Sequence, residues 1–290
     1  MTRVRDKRFE HLSFGERLGS MLRLDFRRMF TSRQFYIFLV VALVTPVLVL
    51  VMTSSFAETA VENPQTGATS TMTAFDNTWQ IIASESGADM MSMTAVSSTD
   101  MEGAAAMTGS MGMDMTSMMN INLMYFMVGV FICLFVADDF RSGYAKNLFT
   151  VRVRKGDYVA SKTIVGFTAG ALFLIAFFVG AIMGGSIAGL SFDLGTVMIA
   201  NVVMCMLSKI FLMTVFVAIF LIMSVIAKNK SWMSILLSLF AGMLLFMMIP
   251  MMTPLNSGMM NLGMCLAGGA IFSIALGAVS NMILKRTALV

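Results

Sequence analysis

Long runs of apolar residues divide the chain. Six such runs lie at about residues 36–54, 119–137, 163–190, 197–227, 232–250 and 261–284. A helix rises about 1.5 Å per residue, so about 20 apolar residues cross the roughly 30 Å hydrocarbon core of a bilayer. The runs do not alternate apolar and polar residues as barrel strands do, and lipid satisfies no backbone hydrogen bonds. The pattern therefore predicts an all-α integral membrane protein with six transmembrane helices in one membrane domain, residues 36–290.

A different pattern precedes the first run. Ser13 and Glu16 have the spacing of a capping box, which starts a helix. Apolar residues then recur at helical spacing and share their stripe with one acid. The stripe comprises Phe14, Leu18, Met21, Leu22, Asp25 and Met29. Residues 1–35 are thus predicted to be a cytoplasmic basic tail and an amphipathic interfacial helix. Asp25 indicates either a rotated stripe or a basic partner such as Arg28. The helix either anchors to lipid or also contacts a cytoplasmic partner.

Basic residues are distributed unevenly between the apolar runs. Nine of the 20 Lys and Arg residues lie in residues 1–35, six lie in residues 138–162, and none lies in residues 55–120. Because basic loops stay in the cytoplasm, six spans place both termini and residues 138–162 there and leave residues 55–120 outside. A composition of 58% hydrophobic and 12% charged residues agrees with this membrane location.

The loop of residues 138–162 mixes charged and apolar side chains. It has six basic and three acidic residues, with Leu148, Phe149 and Tyr158 among the apolar groups between them. The charges are predicted to face outward while the apolar groups meet the membrane surface or a partner. Both a docking element and a plain loop fit this spacing.

Lys209 is the only basic residue within a predicted span. A lysine at the centre of a span costs about 2.5–3.5 kcal/mol on translocon scales. Two interpretations follow from the sequence. Either the amine reaches the outer headgroups, or it lines a cargo path and attracts an anionic group of the cargo.

The predicted external segment, residues 55–120, has eight acidic residues, no basic residue and eleven methionines. Thioethers are soft ligands suited to Cu(I), so a copper-handling membrane protein is one hypothesis. Its candidate ligands are Met91, Met93, Met111, Met113 and Met115. The other 22 of the 33 methionines are spread through the rest of the chain, which favours use of Met as a flexible packing residue over copper binding. A sensor or immunity subunit that binds an external cationic peptide without transporting it is a second hypothesis. The spacing of Met72, Phe75, Trp79 and Ile82 predicts a short helix here.

Several kinds of chemistry lack the residues that they need. The chain has no GxxxxGK[ST] phosphate loop, and its one histidine, His11, lies in the basic tail. Cys133, Cys205 and Cys265 lie in different apolar runs without metal-site spacing. Asp138 and Asp139 point about 100° apart on a helix, which does not suit a catalytic dyad. The chain is therefore predicted to be no enzyme and to bind no cofactor itself.

The surface helix, the six spans and the charged loop after the second span together resemble the permease subunits of type-2 ABC exporters. In that family the loop typically has an acid shortly before a glycine, then a leucine, a proline with an arginine, and a lysine entering the third span. The corresponding residues here are Asp138, Asp139, Gly143, Leu148, Arg154 and Lys162. Aspartates stand where glutamate is commoner, and Val151 or Val153 stands in place of the proline.

The resemblance implies a permease that works with a second permease copy or paralogue and two cytoplasmic ATPase subunits, which hold the ATP and magnesium. It implies a coupling helix within residues 138–162 and a second ATPase contact on the surface helix. The implied coupling residues are Asp138, Asp139, Arg141, Gly143, Tyr144, Arg152 and Arg154, and the implied surface-helix contacts are Asp25, Arg27 and Arg28. The expected function is ATP-driven export across a prokaryotic cell membrane. An apolar interior favours an amphipathic cargo such as an antimicrobial peptide, a lipid-like molecule or a drug, with antibiotic resistance as one outcome. Membrane lipids are expected partners, and nucleic acid is not.

Overall fold

The computed structural model describes residues 13–56, 60–62, 69–71, 75, 77–83, 120–151, 155–227, 230–246 and 248–286. Most of these residues are helical, as predicted. The helices are α1 (Phe14–Thr31), α2 (Arg33–Phe56), α3 (Gln80–Ala83), α4 (Leu123–Arg141), α5 (Tyr144–Val151), α6 (Lys155–Ala188), α7 (Ile199–Ala227), α8 (Ser231–Phe246), α9 (Met248–Met252) and α10 (Met259–Arg286). One small departure from the all-α prediction is an antiparallel pair of three-residue strands, β1 (Ala60–Glu62) and β2 (Thr69–Thr71).

Five of these helices, α2, α4, α6, α7 and α10, are long and apolar enough to cross a membrane. They coincide with the first, second, third, fourth and sixth predicted spans, so the protein is a multi-pass membrane protein. The fifth predicted span, residues 232–250, falls on α8 and the start of α9. Helix α8 has 16 residues and is about 24 Å long, shorter than the hydrocarbon core. The sixth crossing therefore stays a prediction.

Helix α1 begins with the predicted capping box. The Ser13 hydroxyl accepts a hydrogen bond from the Glu16 amide at 3.3 Å, and the Glu16 carboxylate accepts one from the Ser13 amide at 2.9 Å. Met21, Asp25 and Met29 form the buried face of the helix, which packs on α6. The stripe is therefore not rotated, and Asp25 belongs to it. Only Ser32 separates α1 from α2.

Helix α6 is the centre of the bundle, where α1, α2, α4, α7 and α10 all contact it. Glycines allow the closest approaches, because they have no side chain to separate the helices. A Cβ atom at Gly184 would lie 2.8 Å from the Cα atom of Val47 in α2, and one at Gly170 would lie 2.8 Å from the Met213 Cγ atom in α7. The ring of Phe173 stacks on that of Phe35 in α2 at a centroid distance of 5.6 Å.

Residues 75 and 77–83 include side chains that pack against the last turns of α6 and the residues that follow it. Trp79 stacks on Phe178 at a centroid distance of 6.1 Å, and its indole N–H donates to the carbonyl of Phe192 at 3.1 Å. Phe75 and Ile82 are buried, in agreement with their predicted apolar face. Among the described residues the helix covers Gln80–Ala83, and before it the Thr78 amide donates to the carbonyl of Ser191 instead of starting a helix.

Candidate functional site: a buried charge cluster beside helix α5

The predicted loop of residues 138–162 is largely helical. Helix α4 continues through Arg141, a turn at Gly143 follows, and α5 and the first two turns of α6 complete the segment. Gly143 has a φ of 72°, a left-handed conformation that favours glycine, so it permits the sharp reversal between α4 and α5. The prediction that the charges face outward is wrong for three residues. Asp139, Asp157 and Lys162 are buried because α1 covers them with side chains of opposite charge.

Four charged side chains form a cluster where α1, α4 and α6 meet. The Lys162 amine lies 3.0 Å from an Asp25 carboxylate oxygen and 2.7 Å from an Asp139 carboxylate oxygen. The Arg28 guanidinium lies 2.5 Å from the other oxygen of Asp139. We call Asp25, Arg28, Asp139 and Lys162 the buried charge cluster. Two carboxylates and two cations give it no net charge.

Neutral side chains complete the hydrogen bonds of the two carboxylates. The Ser161 hydroxyl donates to Asp25 at 2.6 Å, and the Tyr158 hydroxyl donates to Asp139 at 3.0 Å. Each Asp therefore has one oxygen bonded to a hydroxyl and contacts at least one cation. Buried charges are tolerated only when they are paired and hydrogen-bonded in this way, because each loses its hydration.

Aromatic rings connect the cluster to α5. The Arg28 guanidinium lies 4.1 Å from the ring centroid of Tyr144, the first residue of α5, and the Lys162 amine lies 4.1 Å from that of Phe135. Cations at such distances over ring faces are attracted by the ring quadrupole. The Arg28 side chain thus contacts both the coupling candidate Tyr144 in α5 and Asp139 in α4.

The electrostatics keep Arg28 charged and Tyr144 neutral. Burial alone lowers the pKa of Arg28, but the attraction of Asp139 and the hydrogen bond to it raise that pKa above its ordinary value. Burial also raises the pKa of Tyr144, and the nearby carboxylates of Asp25 and Asp139 add to the effect. Tyr144 is therefore an uncharged phenol at neutral pH and presents an intact aromatic face to Arg28.

A second ion pair attaches the start of α1 to the start of α6. The Arg17 guanidinium lies 3.2 Å from the Asp157 carboxylate, and the side chains are only 12% and 4% exposed. Asp157 is in the first turn of α6, where the helix dipole also favours an acid. Ion pairs thus hold α1 to α6 at two positions, Arg17 near the start of α1 and Asp25 at the middle of its buried face.

The predicted site residues divide into buried and exposed groups. Asp139 is fully buried, whereas the side chain of its neighbour Asp138 is 66% exposed and lies 3.8 Å from Arg28. Arg27 and Arg141 are exposed. Arg152 and Arg154 lie outside the described residues. The partner of Asp25 is Lys162 and not Arg28, because Arg28 turns toward Asp139.

Sequence reasoning missed several members of this site. Tyr158, Ser161 and Lys162 were not among the predicted coupling residues, nor was the Arg17–Asp157 pair. The sequence contained a signal for Lys162 only. An acid within the apolar stripe of α1 requires a buried cation on the element that it packs against, and the sequence could not identify that element.

Lys209 lies about three turns into α7, away from the buried charge cluster, and is fully buried. Its amine donates to the Thr253 hydroxyl at 2.9 Å and to the Asn122 side-chain carbonyl at 3.3 Å. The Tyr125 hydroxyl donates to the backbone carbonyl of Lys209 at 2.7 Å. Asn122 directly precedes α4 and Thr253 directly follows α9, so the amine is bound at the ends of these helices, and its reach toward the outer headgroups stays a prediction. A role in a cargo path stays a prediction.

The copper candidates Met91, Met93, Met111, Met113 and Met115 all lie outside the described residues.

The apolar helices and their buried polar junction define a multi-pass membrane protein with a buried charge cluster at one end. The family model described as ABC-2 family transporter protein matches residues 78–244, which is more than half of the chain. The chain belongs to this family, whose members are the permease components of ABC transporters and are not themselves the ATPases. Membership implies association with an ABC ATPase subunit and, usually, with a partner permease. No curated protein and no solved structure matches the sequence.

Proposed function

We propose that this permease exports an amphipathic cargo, driven by two partner ATPase subunits that act on α5, with a second permease copy or paralogue completing the route. Family membership supports the permease role. The observation that carries the proposal is the continuous contact from Tyr144 in α5 through Arg28 to Asp139 and Lys162. These contacts join a short helix at the bundle end to two long spans.

The exposed side of the junction is where the ATPase would dock. Asp138 and Arg141 are exposed beside the Gly143 turn, and α5 follows directly. Arg152 and Arg154, which follow α5 in sequence, remain candidates for the same contact. Asp139 has a different role in this proposal. It is buried, so it transmits the movement of α5 inside the permease and does not contact the ATPase itself.

Paired charges make the junction suitable for transmitting motion. Removing one partner of a buried ion pair costs about 3–5 kcal/mol, and separating Lys162 from Asp139 would remove one of the two cations that contact this carboxylate. The ends of α4 and α6 therefore move together with α1 when α5 is displaced. A displacement at the ATPase contact would in this way reach two spans that line the centre of the bundle.

The membrane topology in this proposal has six crossings. Helix α8 has a small-residue face, Ser234, Ser238 and Gly242, that is buried against the bundle, while Phe240 and Met243 face outward. The Ser238 hydroxyl lies 3.0 Å from the sulfur of Cys133 in α4. Together, α8 and α9 would form the fifth crossing. An even number of crossings places both termini on the basic side, which is cytoplasmic by the positive-inside rule.

A stacking variant tests the proposed coupling. Tyr144→Ala removes the ring under Arg28, whereas the matched control Tyr144→Phe keeps the ring and removes only the hydroxyl. Each variant is purified with its ATPase and reconstituted in liposomes with a fluorescent cationic amphipathic peptide, a fluorescent phospholipid and ethidium as test cargoes.

We expect the Tyr144→Ala complex to hydrolyse ATP with little cargo movement and the Tyr144→Phe complex to behave as wild type. Full transport by Tyr144→Ala would refute the coupling route. Absence of any co-purified ATPase, or binding of the peptide without ATP-dependent movement by wild type, would refute export and favour the sensor hypothesis.

A further inference from the structure

Helix α1 has a second face, opposite to the one that holds Asp25. Arg23 and Arg27 are exposed on this face, one turn apart. Leu24 and Phe30 are exposed beside them, at 46% and 45%. Large apolar side chains next to guanidinium groups are poorly suited to open water. They are well suited to the boundary between acyl chains and headgroups, where each kind of side chain finds its own environment.

The connection to α2 fixes the position of this face. Since Ser32 alone separates α1 from a membrane-crossing helix, the end of α1 that carries Arg27 and Phe30 lies at the bilayer surface. The opposite face is held to α6 by Asp25 and Lys162, so the helix cannot rotate its arginines away without breaking the buried charge cluster.

The exposed face carries a net positive charge. Its acid, Glu16, accepts hydrogen bonds from the backbone and the hydroxyl of Ser13 in the capping box. Asp25 is turned inward and paired. Arg23 and Arg27 thus face outward without a nearby outward acid in their own turns of the helix. Guanidinium groups bind phosphate oxygens through two parallel hydrogen bonds, so the charge and geometry favour a phosphate-bearing partner.

We propose that Arg23 and Arg27 bind the headgroups of anionic phospholipids and that this binding sets how well α1 transmits the movement of α5. The second half of the proposal rests on the proposed function. Arg28, on the inner side of the same helix turn as Arg27, contacts Tyr144 and Asp139. Headgroups bound to the outer side of α1 therefore restrict its movement and keep Arg28 in contact with Tyr144 and Asp139.

The lipid half is tested on the purified permease alone. The variant is Arg23→Gln with Arg27→Gln, and the matched control is Lys230→Gln, which removes an exposed cation between α7 and α8. Binding of phosphatidylglycerol and of phosphatidylcholine is measured by native mass spectrometry, with excess inorganic phosphate added in a parallel titration. Thermal unfolding checks that each variant is folded.

We expect wild type and Lys230→Gln to prefer phosphatidylglycerol. The double variant should bind it about 30-fold more weakly, since each basic residue near a surface contributes about fivefold. Unchanged phosphatidylglycerol binding by the double variant would overturn the proposal. Displacement of the lipid by inorganic phosphate would identify a free-anion site and would overturn the headgroup assignment.

The coupling half is tested on the complex with its ATPase, in nanodiscs with and without phosphatidylglycerol. We expect phosphatidylglycerol to raise cargo-stimulated ATP hydrolysis severalfold in wild type and not in the double variant. If the double variant loses the ATPase even in neutral lipid, Arg27 contacts the ATPase and the lipid assignment is overturned. The Tyr144 variants contain both arginines, so failure of the proposed function is recognised separately.

Discussion

Neutralising Asp139 perturbs the buried charge cluster most directly. Asp139→Asn keeps the size of the side chain but leaves Asp25, Lys162 and Arg28 with a net charge of +1 in a site where Asp139 and Lys162 are buried. Removing one partner of a buried ion pair destabilises a protein by about 3–5 kcal/mol, because the remaining charge is left uncompensated. Each kcal/mol lowers the melting temperature of a chain of this size by about 2–4 °C. We therefore expect a decrease of about 10 °C in the purified permease.

The neighbouring residue is the control for this experiment. Asp138→Asn removes the same charge one position earlier, but its side chain is 66% exposed and lies 3.8 Å from Arg28, so the expected loss is within about 1 kcal/mol. Adding Arg28→Met to Asp139→Asn restores neutrality, keeps the Asp25–Lys162 pair and should recover part of the lost stability, which a double-mutant cycle measures. Equal melting temperatures for the Asp138→Asn and Asp139→Asn variants would refute the reasoning.

Two further changes test other contacts of the fold. Thr253→Val removes the nearer acceptor of the buried Lys209 amine and should cost about 1–3 kcal/mol in thermal unfolding, whereas Thr45→Val on the exposed side of α2 should cost much less. Equal effects would show that Thr253 does not stabilise Lys209. Gly184→Ala places a Cβ atom 2.8 Å from the α2 backbone and should destabilise the protein by about 1–3 kcal/mol, while Gly268→Ala meets no atom within 4 Å and should be neutral or stabilising. A neutral Gly184→Ala variant would contradict the close packing of α2 on α6.

The local elements could largely be predicted from the sequence. The apolar runs predicted the five long membrane-crossing helices. A bilayer requires about 20 consecutive apolar residues, and such runs are rare in water-soluble proteins. The capping box of Ser13 and Glu16 fixed the start of α1, since both hydrogen bonds form within four residues. Glycines four positions apart, such as Gly180 and Gly184, are typical of close helix contacts, but their spacing does not identify α2 as the partner.

The sequence does not predict which charged side chains in residues 138–162 are buried. Asp138 and Asp139 are chemically identical neighbours, yet one is exposed and the other is buried. Helix geometry predicts that they point in different directions, but only the position of α1 determines which direction is covered. The same is true of Lys162. Its two acidic partners, Asp139 in α4 and Asp25 in α1, are 23 and 137 residues away from it in the sequence.

The sequence by itself determined the membrane class, the position of the long spans and the existence of an amphipathic helix before them. These properties depend on interactions of each segment with lipid, with water or with its own backbone. Only the tertiary structure decided that α1 carries Asp25 and Arg28 into contact with Asp139 and Lys162, and that Tyr144 joins them to α5. Those pairings depend on how separate helices pack. A buried charge is tolerated only beside an oppositely charged partner, and here packing brings that partner from another helix.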